Sequence, residues 1–186
     1  MGKLNMEGQE LRDYIALSAS IIEPCIEDVY INKRLLMDVG MPAERVDDFI
    51  EELIRQYDSF YQGLDEDEYN ECVMQEKERI MEYLSKTPEE RIGHIPEKPD
   101  LADLCRENMD HMERNIRQIM FMKRGMENMG VDSYGIACAI MDSAREYDEK
   151  YSGMPDDEFD KALFDRMLER LLGEPVNEDI DPETAA

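Results

Sequence analysis

The residues of this chain with the clearest chemical potential are acidic side chains whose spacing partly fits a metal-binding loop. Within LDEDEYNECVMQE, residues 64–76, Asp65, Asp67 and Glu76 fill positions 1, 3 and 12 of a calcium-binding loop, whose carboxylate oxygens would hold Ca²⁺. Position 6 is Asn70, however, where that loop requires a glycine for its sharp turn. Acids are also common at helix N-termini, because the helix dipole favours negative charge there. We therefore expect a helix start here and no calcium site.

The histidines offer little metal or acid–base chemistry. Di-metal carboxylate bundles use Glu-x-x-His on helices, and the residue three before His111 is Asn108. Glu107, Asp110 and His111 could still form a lone metal site, but a solvated helix face is the simpler interpretation. The chain also has no glycine-rich phosphate loop, no Gly-x-Ser-x-Gly and no Cys/His nucleophile pairing. We expect no enzyme, no metal and no cofactor.

The four cysteines bear on the cellular compartment. Cys25, Cys72, Cys105 and Cys138 are widely spaced, each among apolar residues at helical spacing, which favours buried thiols over disulfides or a metal cluster. Unpaired thiols are typical of a reducing compartment. The N-terminus lacks the apolar run of a signal peptide, and no stretch of eighteen apolar residues occurs. The sequence thus predicts a cytoplasmic protein that does not enter the membrane.

Net charge narrows the range of partners. The chain has 46 acidic and 21 basic residues, which gives a formal net charge of −25. This charge disfavours direct binding to nucleic-acid phosphates or to an anionic membrane, because both are polyanions. It fits either simple solubility or attraction to a basic surface.

Much of the acidity is concentrated in one region. Residues 43–71 contain eleven acids and only two bases. On a helix, five of these acids form what we name the acidic ridge: Glu44, Asp47, Asp48, Glu51 and Glu52. Four more follow beyond its end: Asp65, Glu66, Asp67 and Glu68. Like charges four residues apart cost helix stability, so their repetition suggests a use.

Such a surface presents carboxylates as DNA presents phosphates. Proteins that imitate nucleic acid, such as anti-restriction and anti-CRISPR inhibitors, are similar to this chain in composition, although no motif is shared. We therefore predict a non-catalytic binding protein whose acidic ridge and following acids dock on the basic, nucleic-acid-binding surface of a partner and inhibit it. The alternative is a helical adaptor or assembly subunit whose acidic surface is only solubilising.

A second candidate interface lies in MERNIRQIMFMKRGMENMG, residues 112–130. On a helix over 101–129, one apolar stripe indicates core: Leu101, Cys105, Met109, Met112, Ile116, Ile119, Met122, Met126 and Met129. Arg114, Arg117, Phe121 and Arg124 form another, named here the arginine stripe. Its charge would be partly neutralised by i, i+4 pairs from Asp110 to Arg114 and from Glu113 to Arg117. The stripe is expected either to pack against the protein's own acidic helices or to bind a partner.

The elements that position these residues are predicted to be helices. Only two threonines and six valines occur, which leaves little material for a sheet. Apolar spacing and capping signals predict an all-α bundle of six or seven helices, with a long central one. One further helix follows Asp132, and the others cover about 7–22, 25–39, 43–62, 67–86, 101–129 and 156–172.

The chain is expected to form a single helical domain, 1–173, or two halves, 1–92 and 100–173, around the proline-containing linker 93–100. Thr87-Pro-Glu-Glu reads as a capping box, and the acidic tail 174–186 as disordered.

One partial repeat appears, in which VGMPAERVDDFIEELI at 39–54 resembles SGMPDDEFDKALFDRM at 152–167. It indicates either a duplicated three-helix unit or, as we favour, similar helix-stop chemistry arising twice.

Overall fold

The computed structural model describes residues 8–85 and 100–172, which form six helices and no strand. The predicted all-α fold is therefore confirmed. The capping box at 87–90, the tail at 174–186 and nearly all of the linker lie outside the described residues. The helices are α1 Gln9–Asp38, α2 Ala43–Gly63, α3 Glu66–Ser85, α4 Leu101–Asn128, α5 Ser133–Ser152 and α6 Asp156–Leu172.

Helix α1 corrects the predicted boundary at Pro24. The sequence suggested two helices separated there, whereas the structure has one continuous helix with Pro24 inside it. A proline in a helix interior removes one backbone hydrogen bond and costs about 3 kcal/mol. Ile22 and Ile26, which flank the proline, are both buried in the main core cluster. Burial of this apolar face outweighs the local cost, and a pattern of single residues cannot show that balance.

The centre of the bundle is the pair α1 and α4, which make the most extensive helix–helix contact. The predicted central position of the long helix is confirmed, but α1 shares it. Along α4 the expected apolar stripe is buried at Met112, Ile116, Ile119 and Met126. At its N-terminal end Leu101 is exposed instead.

Two glycine turns set the direction of the chain after each long helix. Gly40 ends α1 with φ 95°, and Gly130 ends α4 with φ 88°, a region that favours glycine. At each turn the glycine N–H bonds a carbonyl three residues back, and the next N–H bonds one five residues back. Both turns are thus Schellman motifs with the same bonding pattern.

These turns reveal an internal repeat with a constant spacing of 90 residues. When residues 11–82 (the first repeat) are aligned without a gap to 101–172 (the second repeat), α1–α3 coincide with α4–α6. Short motifs recur at this spacing, including Lys33-Arg34 with Lys123-Arg124 and YDSFYQG at 57–63 with YDEKYSG at 147–153. Buried apolar residues coincide as well: Ile22 with Met112, Ile26 with Ile116, Val29 with Ile119, Leu36 with Met126, and Tyr69 with Phe159.

Polar contacts between the repeats are reciprocal. Lys33 pairs with Asp148 at 2.8 Å, and its equivalent Lys123 pairs with Asp58, the equivalent of Asp148, at 2.7 Å. Two further hydrogen bonds recur between equivalent groups. Arg34 donates to the Met154 carbonyl, as Arg124 donates to the Leu64 carbonyl. Tyr57 donates to Glu113, as Tyr147 donates to Glu23.

The repeats interlock, because α2 packs mainly on α4 and α5 packs mainly on α1. Each shorter helix thus contacts the long helix of the other repeat more than its own. The sequence match of 39–54 with 152–167 has a different register, since it pairs the α1–α2 turn with the α5–α6 turn. Those turns also differ in conformation: Gly40 has φ 95° and Gly153 has φ −97°. That match reflects similar helix punctuation, while the repeat itself lies at the 90-residue spacing.

None of the four cysteines forms a disulfide, and each is partly rather than fully buried. Within the described ranges, no helix has the length and apolarity needed to cross a lipid bilayer.

Candidate functional site

The acidic ridge lies on the outward face of α2. Glu44, Asp48, Glu51 and Glu52 are exposed, whereas Val46, Ile50 and Leu53, which lie between them in sequence, are buried. The helix is thus fixed to the body by one face and presents carboxylates on the other. Of the four exposed acids, only Glu52 forms a described ion pair, with the exposed Arg55.

Asp47 differs from the other ridge residues because it has a structural contact. Its carboxylate pairs at 2.6 Å with Lys33, whose side chain is only 7% exposed and also binds Asp148. Burial alone would lower the pKa of the Lys33 ammonium, but hydrogen bonds to Asp148 and Asp47 outweigh burial and raise it. Lys33 therefore stays charged and ties α1 to α2 and α5.

The acids beyond the ridge begin α3. The Asp65 carboxylate accepts the Glu68 backbone N–H, and the Glu68 carboxylate accepts the Asp65 N–H, both at 2.9 Å. This reciprocal pair is a capping box. Glu66 and Asp67 are exposed in the first helical turn. Within the described ranges no group of histidines, cysteines and carboxylates could hold a metal ion.

The internal repeat supplies a comparison surface for the ridge. On α5 the equivalent positions carry no acid except the last: Tyr134, Ala137, Cys138, Met141 and Asp142. Tyr134 is 77% exposed and Met141 is 62% exposed, so this flank is largely apolar. The same structural surface is acidic in the first repeat and apolar in the second.

The arginine stripe packs against α2 and α3 at its C-terminal end and is exposed at its N-terminal end. Phe121 packs between Tyr61 and Tyr69, with ring centroids 5.7 and 5.3 Å away. Arg124 donates to the Leu64 carbonyl at 3.2 Å and thereby closes the α2–α3 turn. Arg114 is exposed and Arg117 half-buried. The stripe is therefore partly structural, as one of the two expectations for it held.

The ion pairs expected within the arginine stripe are not formed. Among the described residues neither Arg114 nor Arg117 has a salt bridge. Glu113, the expected partner of Arg117, instead accepts a 2.5 Å hydrogen bond from the Tyr57 hydroxyl. Burial and this carboxylate raise the pKa of Tyr57 to about 12. In the second repeat, Tyr147 hydrogen-bonds Glu23 and has its pKa raised to about 12 as well, mainly by burial.

Several cavities adjoin these surfaces, and two of them differ between the repeats. One of about 500 Å³ lies between α2, α3 and α4 and is lined by Arg117 and aromatic rings. The other, about 290 Å³ and mainly apolar, lies between α1 and α5. This apolar cavity exists because α5 has the small residues Ala139 and Ser143 at the positions equivalent to Phe49 and Leu53 of α2.

Sequence reasoning missed several residues that hold the site together. The buried Lys33 and Lys123 were not singled out, nor was Gly125, over which the hydroxyls of Tyr14 and Tyr69 converge. The recurrence of Lys-Arg and of Tyr-Asp-x-x-Tyr-x-Gly at 90 residues was the available signal.

In comparisons with known proteins, no family model, no curated protein and no solved structure matches the chain.

Proposed function

We propose that this protein is a non-catalytic acidic binding protein that docks its α2 ridge on the basic, nucleic-acid-binding surface of a partner and blocks it. The observation that supports this proposal is the asymmetry of the repeated surface. Glu44, Asp48 and Glu51 are exposed without a described basic partner, while the equivalent Tyr134, Cys138 and Met141 carry no charge. General solubility would not require the acids to be confined to one copy of the surface.

The spacing of the ridge suits a site that normally binds nucleic acid. Glu44 to Glu52 covers about 12 Å along the helix axis at 1.5 Å per residue. The four exposed acids therefore supply roughly one charge per 3–4 Å, comparable with about 3.4 Å for one strand of DNA. Because Val46, Ile50 and Leu53 anchor the helix, the carboxylates are held at this spacing before binding.

A matched pair of variants tests the proposal. The ridge variant removes four exposed charges and leaves Asp47 to hold Lys33: Glu44→Gln, Asp48→Asn, Glu51→Gln and Glu52→Gln. The control variant removes the same number of exposed charges from α5 and α6: Glu149→Gln, Asp157→Asn, Glu158→Gln and Asp160→Asn. Both variants have the same net charge, so only the position of the lost carboxylates differs.

Each protein is immobilised and exposed to a nuclease-treated lysate of the cells that produce it. Wild type and the control variant are expected to retain proteins with nucleic-acid-binding surfaces, and a double-stranded DNA oligonucleotide should displace them. The ridge variant should retain few of these proteins. If all three proteins retain the same set, and DNA displaces none of it, the ridge is only solubilising.

A second candidate function, a helical adaptor, is favoured by the apolar flank of α5. Tyr134 and Met141 lie two turns apart on that flank, and exposed apolar residues are enriched in protein interfaces. Substituting both with serine should abolish retention of structural partners if the adaptor function holds. It should leave DNA-displaceable proteins bound if the ridge is the interface.

A further inference from the structure

The cavity between α2, α3 and α4 combines aromatic walls with an arginine that has no described ion-pair partner. It measures about 500 Å³, within the usual range of about 300–1,000 Å³ for small-molecule sites. Tyr57, Phe60, Tyr61 and Phe121 contribute rings, and Arg117 contributes its guanidinium. Phe60 is about half exposed although it is a large apolar side chain. Glu76 and Arg79 line it as well, and they pair with each other. An open cavity of this size, with several rings and an arginine unpaired among the described residues, has the composition of a binding site.

The equivalent position on α1 shows how the position of Arg117 is completed elsewhere in the fold. The residue equivalent to Arg117 is Glu27, which has opposite charge. Its carboxylate accepts the Tyr151 hydroxyl at 2.6 Å and pairs with Lys150 at 3.2 Å and with Arg166 at 4.0 Å. Arg166 also bonds Asp28, so α6 is held closely against α1. At Glu27 the chain itself supplies the groups that neutralise the charge, from α5 and α6.

At Arg117, on α4, the equivalent groups of α2 and α3 do not neutralise the charge. The counterparts of Tyr151, Lys150 and Arg166 are Tyr61, Phe60 and Glu76. Glu76 has the right charge, but its carboxylate pairs with Arg79 at 2.5 Å. Arg117 therefore lacks the counter-charge that Glu27 has at the equivalent position. The cavity lies beside its guanidinium instead.

We propose that this cavity binds a small anionic molecule that carries a planar aromatic ring. The anion, a carboxylate or a phosphate, would form a charge-assisted, two-pronged hydrogen bond with the Arg117 guanidinium. The ring would lie against Phe121 and the half-exposed Phe60, where aromatic contacts add to the burial of apolar area. The side-chain amides of Gln56 and Gln75 also line the cavity and can bond polar edges of the ring.

This proposal does not depend on the acidic ridge. The ridge lies on the outward face of α2, and none of its carboxylates lines the cavity. Failure of one proposal would therefore leave the other standing. The net charge of −25 weakens long-range attraction of any anion, so the affinity must come from contacts inside the cavity.

Titration calorimetry with defined probes tests the site in the full-length protein. Adenosine 5′-monophosphate and phenylacetate each combine a ring with an anion, and they distinguish a phosphate from a carboxylate ligand. Adenosine, benzyl alcohol, inorganic phosphate and acetate each carry one part only. At least one combined probe should bind about tenfold more tightly than either of its parts, since the two contacts are made together.

Two arginine variants locate the binding. Arg117→Gln should lower the affinity for the bound probe by about tenfold, because the charge-assisted hydrogen bonds are lost. Arg114→Gln removes an arginine one turn away that does not line the cavity, and it should change the affinity less than about twofold. Circular dichroism should show equal helicity for both. The proposal is overturned if no combined probe outbinds its parts, or if Arg117→Gln binds as wild type does.

A closed state of α3 provides a second decisive measurement. If Glu76 leaves Arg79 and pairs with Arg117 in solution, no ligand is needed to complete the position. In that case Glu76→Gln should destabilise wild type but not the Arg117→Gln protein, and such coupling in the absence of ligand would also overturn the proposal. Independent effects of the two substitutions, with Glu76→Gln leaving probe affinity unchanged or improved, would support it.

Discussion

At the residue scale, Gly125 allows three helices to meet. A Cβ atom at this position would lie 2.5 Å from the Tyr14 hydroxyl and 2.8 Å from that of Tyr69. The Tyr69 hydroxyl is also held by the Phe121 carbonyl at 3.0 Å. Two partly or fully buried rings on α1 and α3 would therefore have to move to admit one methyl group.

Gly125→Ala is accordingly expected to lower the free energy of unfolding by about 1–3 kcal/mol, the usual cost of overpacking a core. Urea unfolding followed by circular dichroism measures this. Gly63→Ala is the matched control, because nothing lies within 4 Å of its Cβ position. It should leave stability unchanged or slightly improved. Equal effects of the two substitutions would show that the tyrosines yield at no cost.

The two buried lysines differ in what their removal leaves behind. Lys123 pairs with Asp58 and with Glu127, whose side chain is only 8% exposed. The partners of Lys33, Asp47 and Asp148, are 48% and 38% exposed and can be hydrated. We expect Lys123→Met to cost about 3 kcal/mol and Lys33→Met clearly less, because only the former leaves a buried carboxylate without its cation. Parallel chemical denaturation at neutral pH measures both.

This difference should depend on pH with a defined sign. Burial alone would raise the pKa of Glu127, but hydrogen bonds from Ser133, Lys123 and Gln62 outweigh it and lower the pKa. A carboxylate with a lowered pKa stabilises the fold above its unfolded pKa, and this contribution is lost as the pH falls. Without Lys123 the pKa should rise, so the deficit of Lys123→Met should be greatest near pH 7 and shrink below about pH 4. A deficit that is constant with pH would exclude this explanation.

At the element scale, α2 carries repulsion that a purely structural helix would avoid. Asp48 lies four residues from both Glu44 and Glu52, and both of these pairs are like-charged. Asp48→Asn removes both repulsions at once without a large change in helix propensity. It should raise the unfolding free energy by about 0.5 kcal/mol at low salt, and this gain should vanish near 1 M salt.

Thermal unfolding at two salt concentrations measures the effect. On α5, Asp142→Asn provides the control, because Asp142 pairs with Arg145 at 3.4 Å and is not part of an acidic ridge. That substitution should leave stability unchanged or slightly reduced. A gain of equal size for both would assign the effect to net charge rather than to the ridge.

How far sequence predicts an element depends on whether its determinants are local. The boundaries of α2 and α4 follow from apolar spacing, the Asp100 cap and glycine stops, all within one turn of the ends. Pro24 misled the prediction because its cost is offset by burial against helices distant in sequence. The ridge could be placed on a helix face from spacing alone. Spacing alone could not predict that Asp47 forms an ion pair with Lys33, because this contact depends on how α2 packs.

At the scale of the whole molecule, the interlocked repeats predict how fragments should behave. A fragment 1–92 leaves the apolar face of α2 without α4, on which it packs. Two copies of this fragment would place Glu27 of one near Glu76 of the other, whereas two copies of 93–186 would place Arg117 near Arg166. In the mixed pair these positions have opposite charges, so repulsion disfavours both like pairs.

We therefore expect fragments 1–92 and 93–186 to be poorly folded alone and to form a one-to-one complex when mixed. Circular dichroism and size-exclusion chromatography with mass detection measure this. Raising the salt concentration should weaken the preference for the mixed pair, because the discrimination is electrostatic. A fragment that folds alone as a monomer would show that the repeats are independent.

The repeat has a consequence for valency. Two identical subunits related by a two-fold axis must display every surface twice, so a symmetric dimer with an acidic helix recruits two partners. Here one polypeptide carries both copies, and each has its own sequence. The acids of α2 therefore occur once per chain, while the equivalent flank of α5 carries Tyr134 and Met141 instead. Under the proposed docking function, such a molecule would saturate its target at equimolar ratio and would not cross-link two targets through the same face.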